Sequence, residues 1–261
     1  MRNALIIFKK EIKEVIKNKS IWTPTIILSI VFCIILPIGI TTGSSGITSD
    51  PDSAEKLSKL LPGHDPFSAM IIFLSKQLLI FLLLVPAMIP SLIAPTSITL
   101  EKESRTLEPL LATPIKTKEL LLGKTLTSFI PSIVISTFNF ILLSATLDIL
   151  SYPKLGYLIL PNAEWCIVAF VLSPAISFII IMISIIVSSK TTDLRSAQGI
   201  GSAVILPIYV IIGMQIAGLF LMNIIYLIIA CIVFIAVCPL ILKITVRVFD
   251  RENILTKWKY K

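Results

Sequence analysis

The sequence predicts an all-α, polytopic membrane protein with six transmembrane helices, and three observations carry that prediction. Apolar residues make up 56% of the 261 and the mean hydropathy is +0.96, against about 45–50% apolar in soluble domains. Charged residues gather in a few islands, separated by apolar runs long enough to cross a hydrocarbon core of about 30 Å, which takes roughly 20 helical residues. The basic residues also fall on one side of that pattern. Residues 1–20, 99–124, 188–197 and 243–261 hold 19 of the 23 Lys and Arg, with a net +10, whereas 41–66 and 148–164 hold three, with a net −3. Basic loops stay inside, so both termini are expected in the cytosol of a cell-membrane protein. The overall +8 is thus a topology signal, and no nucleic-acid partner is expected.

Residues 1–20 carry Arg2, Lys9, Lys10, Lys13, Lys17 and Lys19, while Leu5, Phe8, Ile12, Val15 and Ile16 recur at three- and four-residue spacing. That pattern predicts a basic amphipathic helix lying on the lipid bilayer. The run 21–40 is the first span, longer than the apolar stretch of a signal peptide and followed by no A-x-A site. Residues 41–66 form an outside loop with a short helix-like piece near Ser53 to Leu61 and the single histidine, His64. The block 67–98 would be about 48 Å long as one helix, so Gln77–Ile98 is read as the second span with an interfacial lead-in before it. Lys76 divides the two, either snorkelling to the outer interface or lining a substrate path. Pro86, Pro90 and Pro95 predict a kinked or partly unwound inner half.

Residues 99–119 are a dense charged island that must lie in water. Leu100, Leu107, Leu110 and Leu111 repeat at helical spacing among its charges, and Thr113-Pro114 suits a helix start. The third span, 120–147, carries Thr125, Ser128, Ser132, Ser136 and Asn139 on one stripe. The fourth, 163–187, carries Ser173, Ser177 and Ser184, with Ser188 just beyond it. Such stripes mean either close helix packing or the wall of a cavity, and Ser132, Ser136, Asn139 and Ser177 join Lys76 as candidate substrate-path residues. Between these spans lies the outside loop 148–162. A charged turn at 188–196 precedes the uncharged stretch Ala197–Leu242, which would be about 69 Å as one helix. It must reverse, and Gly213, Gln215, Gly218 and Asn223 mark the reversal between span five (197–218) and span six (219–242). Gly199, Gly201 and Ser202 would admit a close neighbour, in the same chain or in a second copy. Residues 243–261 close the chain with a second basic amphipathic segment. Cys33, Cys166, Cys231 and Cys238 sit in apolar runs without CxxC spacing and read as small hydrophobes.

The island combines an acidic-basic-acidic start, Thr106-Leu107-Glu108, a Leu pair, Thr113-Pro114, Glu119-Leu120 and Gly123-Lys124. In this it resembles the cytosolic signature of the type-2 ATP-binding-cassette (ABC-2) exporter permeases. One position departs: Arg105 stands where that family commonly has Gly. The resemblance implies a coupling helix between spans two and three that enters a groove of a cytosolic ATP-binding-cassette ATPase subunit. Carried over by position, Glu101, Glu103, Thr106, Leu107, Glu108, Leu111, Thr113 and Pro114 would make that contact, with Arg105 at the departing site. It also implies a second permease copy, identical or related. ATP and Mg would bind in the ATPase, with no cofactor in this chain.

The residues agree that catalysis is absent from the expected role. Leu121–Thr125, LLGKT, ends like a phosphate-binding loop, but Lys118 stands where the first Gly is required and no strand precedes it. No HExxH, G-x-S-x-G or intramembrane acid pair occurs. The chain therefore reads as a permease subunit that is no enzyme itself and works by alternating access. The rival readings are a non-transporting membrane scaffold or insertase subunit, and an ion channel, for which no filter-like ring is evident. The polar stripes suit lipids, hydrophobic peptides, drugs, antibiotics or a cation such as sodium alike.

Overall fold

The computed structural model describes residues 2–47, 66–104, 106, 115, 117–191, 194–216 and 224–248. All of the regular structure among them is helical. In chain order the helices are α1 (Arg2–Lys17), α2 (Lys19–Ile30), α3 (Leu36–Ile47), α4 (Pro66–Phe81), α5 (Leu84–Glu103), α6 (Thr117–Leu155), α7 (Ala163–Ile167), α8 (Ser173–Lys190), α9 (Leu194–Ala203), α10 (Leu206–Ile216) and α11 (Ile224–Val248). Single π-helical turns, Val31–Ile35 and Val168–Leu172, join α2 to α3 and α7 to α8. Six stretches are long and apolar enough to cross a membrane: Lys19–Gly43, Ser68–Glu103, Lys118–Pro153, Ala163–Ser189, Arg195–Met214 and Ile224–Val248. The protein is an all-α polytopic membrane protein. The helix-like piece at Ser53–Leu61, His64, the reversal at Gly218 and Asn223, and the tail beyond Val248 lie outside the described residues.

Spans two and four are the centre of the bundle. Inside the protein, 82% of the apolar window of span two and 61% of that of span four are buried, against 17%, 22% and 11% for spans one, five and six. The last three therefore turn most of their apolar surface outward, where lipid can cover it without any loss of water-ordering free energy. α6 has 39 residues, about 58 Å at 1.5 Å per residue, so both its ends project beyond a core of about 30 Å.

α1 shows why its apolar positions are so numerous. The stripe Ala4, Ile7, Glu11 and Val15 is buried, whereas Leu5 and Ile16 of the neighbouring stripe stay exposed. One side of the helix packs on protein and the adjacent side is free for lipid. Asn18 then caps α2 by accepting from Ser20 N at 3.1 Å, and Trp22 Nε1 donates to Val15 O at 2.9 Å, which fixes the elbow between α1 and α2.

The prolines of span two act in different ways. Pro86 has no N–H for the Leu82 carbonyl and its ring crowds that oxygen; the helix opens into a turn at Leu82–Leu83, near mid-span, and restarts as α5. Pro90 leaves the Pro86 carbonyl without its helical donor, yet α5 runs on. Two serines supply the missing bonds: Ser177 Oγ donates to Pro86 O at 2.8 Å and Ser132 Oγ at 3.1 Å. At Pro95 the neighbour is Gly201 of α9, where an added Cβ would lie 3.0 Å from Pro95 Cγ and 3.4 Å from Ser91 O. Gly199, two residues earlier, has nothing within 4 Å of the added Cβ. The small residues of span five thus meet span two through Gly201 and face open space at Gly199. Gly201→Ala is expected to destabilise the protein by about 1–3 kcal/mol through overpacking on a rigid ring. Gly199→Ala should be neutral or stabilising by up to about 1 kcal/mol from helix propensity. Thermal unfolding of the two purified variants checks this, and equal midpoints would count against the close contact.

Candidate functional site

Two buried lysines fasten the C-terminal end of span two. Lys124 lies two turns into α6, with its side chain 1% exposed. Its Nζ is 2.8 Å from Glu11 Oε1 on α1 and donates to Ser97 O at 2.8 Å and Ser97 Oγ at 3.0 Å on α5. Glu101 Oε2, one turn beyond Ser97, stands 2.9 Å from the same ammonium. That carboxylate oxygen has no well-directed hydrogen bond, so the contact is chiefly Coulombic. Ser97 Oγ donates in turn to Glu11 Oε2 at 3.0 Å. One cation and two carboxylates taken from water cost several kcal/mol each unless paired, and here each carboxylate has the ammonium. Between α1 and the last turns of α5 the cluster borders a partly open hollow of about 500 Å³, lined by Lys10, Glu14, Asn18, Ile93 and Thr96 among others.

Lys102, one residue beyond Glu101, points about 100° away around α5 and meets span four instead. Its Nζ donates to Ser188 O at 2.7 Å, Ser189 O at 2.8 Å and Thr191 O at 2.9 Å. Those carbonyls belong to the last turn of α8 and its C-cap, Thr191, where helical donors run out and the helix dipole favours a cation. Ser188 Oγ adds a bond to Pro95 O at 3.0 Å. The last two turns of α5 are thus tied to α1, α6 and α8 together.

The polar stripes of spans three and four face each other deeper in the bundle. Ser132 Oγ and Ser177 Oγ lie 2.9 Å apart, and Ser136 Oγ and Ser173 Oγ 2.7 Å apart, all at most 1% exposed. Asn139 is fully buried with both side-chain amide atoms lacking a hydrogen-bond partner, while its backbone carbonyl accepts from Cys33 Sγ, in the π turn of span one, at 3.5 Å. Lys76 sits at the opposite end of the bundle, 41% exposed, with its Nζ 3.5 Å from Glu164 Oε2.

Of the residues expected to couple to an ATPase, Glu101 belongs to the Lys124 cluster, Glu103 and Thr106 are exposed, and Thr106 N donates to Glu101 O at 2.9 Å. Arg105, Leu107, Glu108, Leu111, Thr113 and Pro114 lie outside the described residues. The sequence reading did not single out Glu11, Ser97, Lys102 or Lys124 as partners. Glu11 shares the Ala4-Ile7-Val15 stripe, and an acid among the apolar positions of a basic helix is the one local signal that it has a buried cation to meet.

No curated protein matches this sequence. The family model described as ABC-2 family transporter protein matches residues 5–227, which takes in most of α1, the first five spans, the charged island and the lysine cluster. On that match, and with six apolar helices gathered around a braced second span, the chain belongs to the ABC-2 family of transporter proteins, as a transmembrane permease.

Proposed function

We propose that this permease is the membrane half of an exporter, that two copies or one copy and a relative form the path, and that separate cytosolic ATP-binding-cassette subunits drive it. ATP and Mg²⁺ bind in those subunits. The observation that carries the reading is the bracing of span two where the charged island leaves it. Lys124 and Lys102 join its last turns to α1, α6 and α8, so a push on the island reaches three spans as one body. Closure of the two ATPases would tilt that body and expose the path alternately to the two sides. Leu107 and Leu111 would anchor in the ATPase groove, with Glu103 and Glu108 at its rim. The island and both termini face the cytosol of the cell membrane on this reading, as the distribution of Lys and Arg favours.

The test is purification of the tagged chain from gently solubilised native membranes, with ATPase assay and mass spectrometry of what accompanies it. A stoichiometric ATP-binding subunit is expected, lost with Leu107→Asp and weakened with Glu108→Lys, while the variants keep the wild-type unfolding midpoint. A chain that purifies alone and inert would instead support a scaffold or insertase subunit.

A further inference from the structure

We infer that α1 belongs to the moving body, riding on the root of span three, and that Lys124 is the positioning residue that holds it there. This rests on the permease reading and adds to it a role for the N-terminal helix beyond anchoring on lipid.

Three contacts run along one face of α1. Asn3 Nδ2 donates to Glu119 Oε2 at 3.0 Å. One turn on, Gly123 lies so close to α1 that an added Cβ would be 3.0 Å from Ala4 O and from Ile7 Cβ. One turn further, Glu11 meets Lys124 at 2.8 Å. The α1 positions advance by about four residues at each step, the repeat of a single helix face. A polar contact at each end and a backbone-close contact between them fix both the rotation and the sliding of α1 against α6.

A helix that served only to lie on the membrane would need none of these. Its basic residues would meet headgroups, and an apolar residue at position 11 would spare the burial of Glu11. Ionic groups kept in a buried seam are best attested as devices that fix register, and this seam fixes α1 to α6. The chain connection of α1, by contrast, is to span one, through the Asn18 elbow. Toward span two the partly open hollow intervenes, and the Lys124 cluster bridges it to Ser97 and Glu101. Motion entering at the island root therefore reaches α1 directly, through Lys124 and through the Ser97–Glu11 bond, and not only by way of the elbow.

The experiment uses the full chain with its co-purified ATPase in nanodiscs, with Cys33, Cys166, Cys231 and Cys238 replaced by Ser and with Asn3→Cys and Glu119→Cys added. A short bismethanethiosulfonate reagent links the two new thiols, and a reductant releases them. Linking is expected to be rapid and nearly complete, and ATP turnover of the linked complex should equal that of the same sample after release. Turnover that falls on linking and returns on release would overturn the inference, since α1 and α6 would then have to move apart during the cycle. Lys124→Met should slow linking several-fold, and Glu11→Gln, which keeps the shape and removes the charge, should slow it also. Unchanged linking in both would remove Lys124 from its positioning role. Linking yield is read without ATP, so a preparation lacking any ATPase would count against the permease reading and leave the seam itself still measured.

Discussion

Lys124→Met is expected to lower the thermal unfolding midpoint by roughly 10 °C, from a loss of about 3–5 kcal/mol at about 2–4 °C per kcal/mol for a chain of this size. The ammonium lies within 3 Å of two carboxylates and donates to two further oxygens, at 1% exposure. Methionine fills a similar volume and returns none of this, leaving the buried Glu11 and the partly buried Glu101 without their cation. The cause is separable from lost packing. Lys124→Met combined with Glu11→Gln and Glu101→Gln is expected to regain most of the loss, because a neutral buried set no longer lacks a counter-charge. If the triple variant is less stable than Lys124→Met, the cluster is not held by charge.

Lys102→Met should act in the same place by another route. Three carbonyls at the end of α8 lose a charged donor, and bonds of that kind are worth about 1.5–3 kcal/mol each. Water reaches the end of a helix more easily than its middle, so the net loss is expected near the lower end, about 2–3 kcal/mol. Hydrogen exchange should show it most directly, as faster exchange confined to the last turns of α5 and α8, with Lys102→Arg partly protective. If the complex carries its ATPase, hydrolysis should persist while transport per ATP falls, because the island root no longer moves with span four. Exchange unchanged at Ser188–Thr191 would sink the proposed lock.

Most of the architecture was legible because bilayer solvation acts on local composition. Runs without charge must be spans and dense charge must lie outside them. The family was legible for a related reason: its signature is continuous in the chain, from Thr106-Leu107-Glu108 to Gly123-Lys124, and needs no folding to be recognised. Proline rules reached only halfway. That Pro86, Pro90 and Pro95 disturb span two follows from their missing N–H groups. That Pro90 nonetheless leaves α5 intact depends on Ser132 and Ser177, which lie 46 and 91 residues from Pro86.

The sequence by itself determined six apolar helices, their charged ends and the family to which they belong, since each of these is a property of a residue and its near neighbours. The tertiary structure alone decided which charges are solvated and which are buried. Lys124 reads in the chain as one more lysine of a watery island, and Glu11 as a stray acid in a basic helix. They become a pair only when residues 113 apart are brought to 2.8 Å. The serine stripes show in the chain only as polar faces, and the folded protein sets Ser132 against Ser177 and Ser136 against Ser173 at 2.9 and 2.7 Å. A periodic pattern reports which face of a helix differs from the others, and only the packed neighbour fixes what that face is for. Burial turns such a contact from a marginal surface attraction into one that sets register, because the partner of a desolvated polar group cannot be replaced by water.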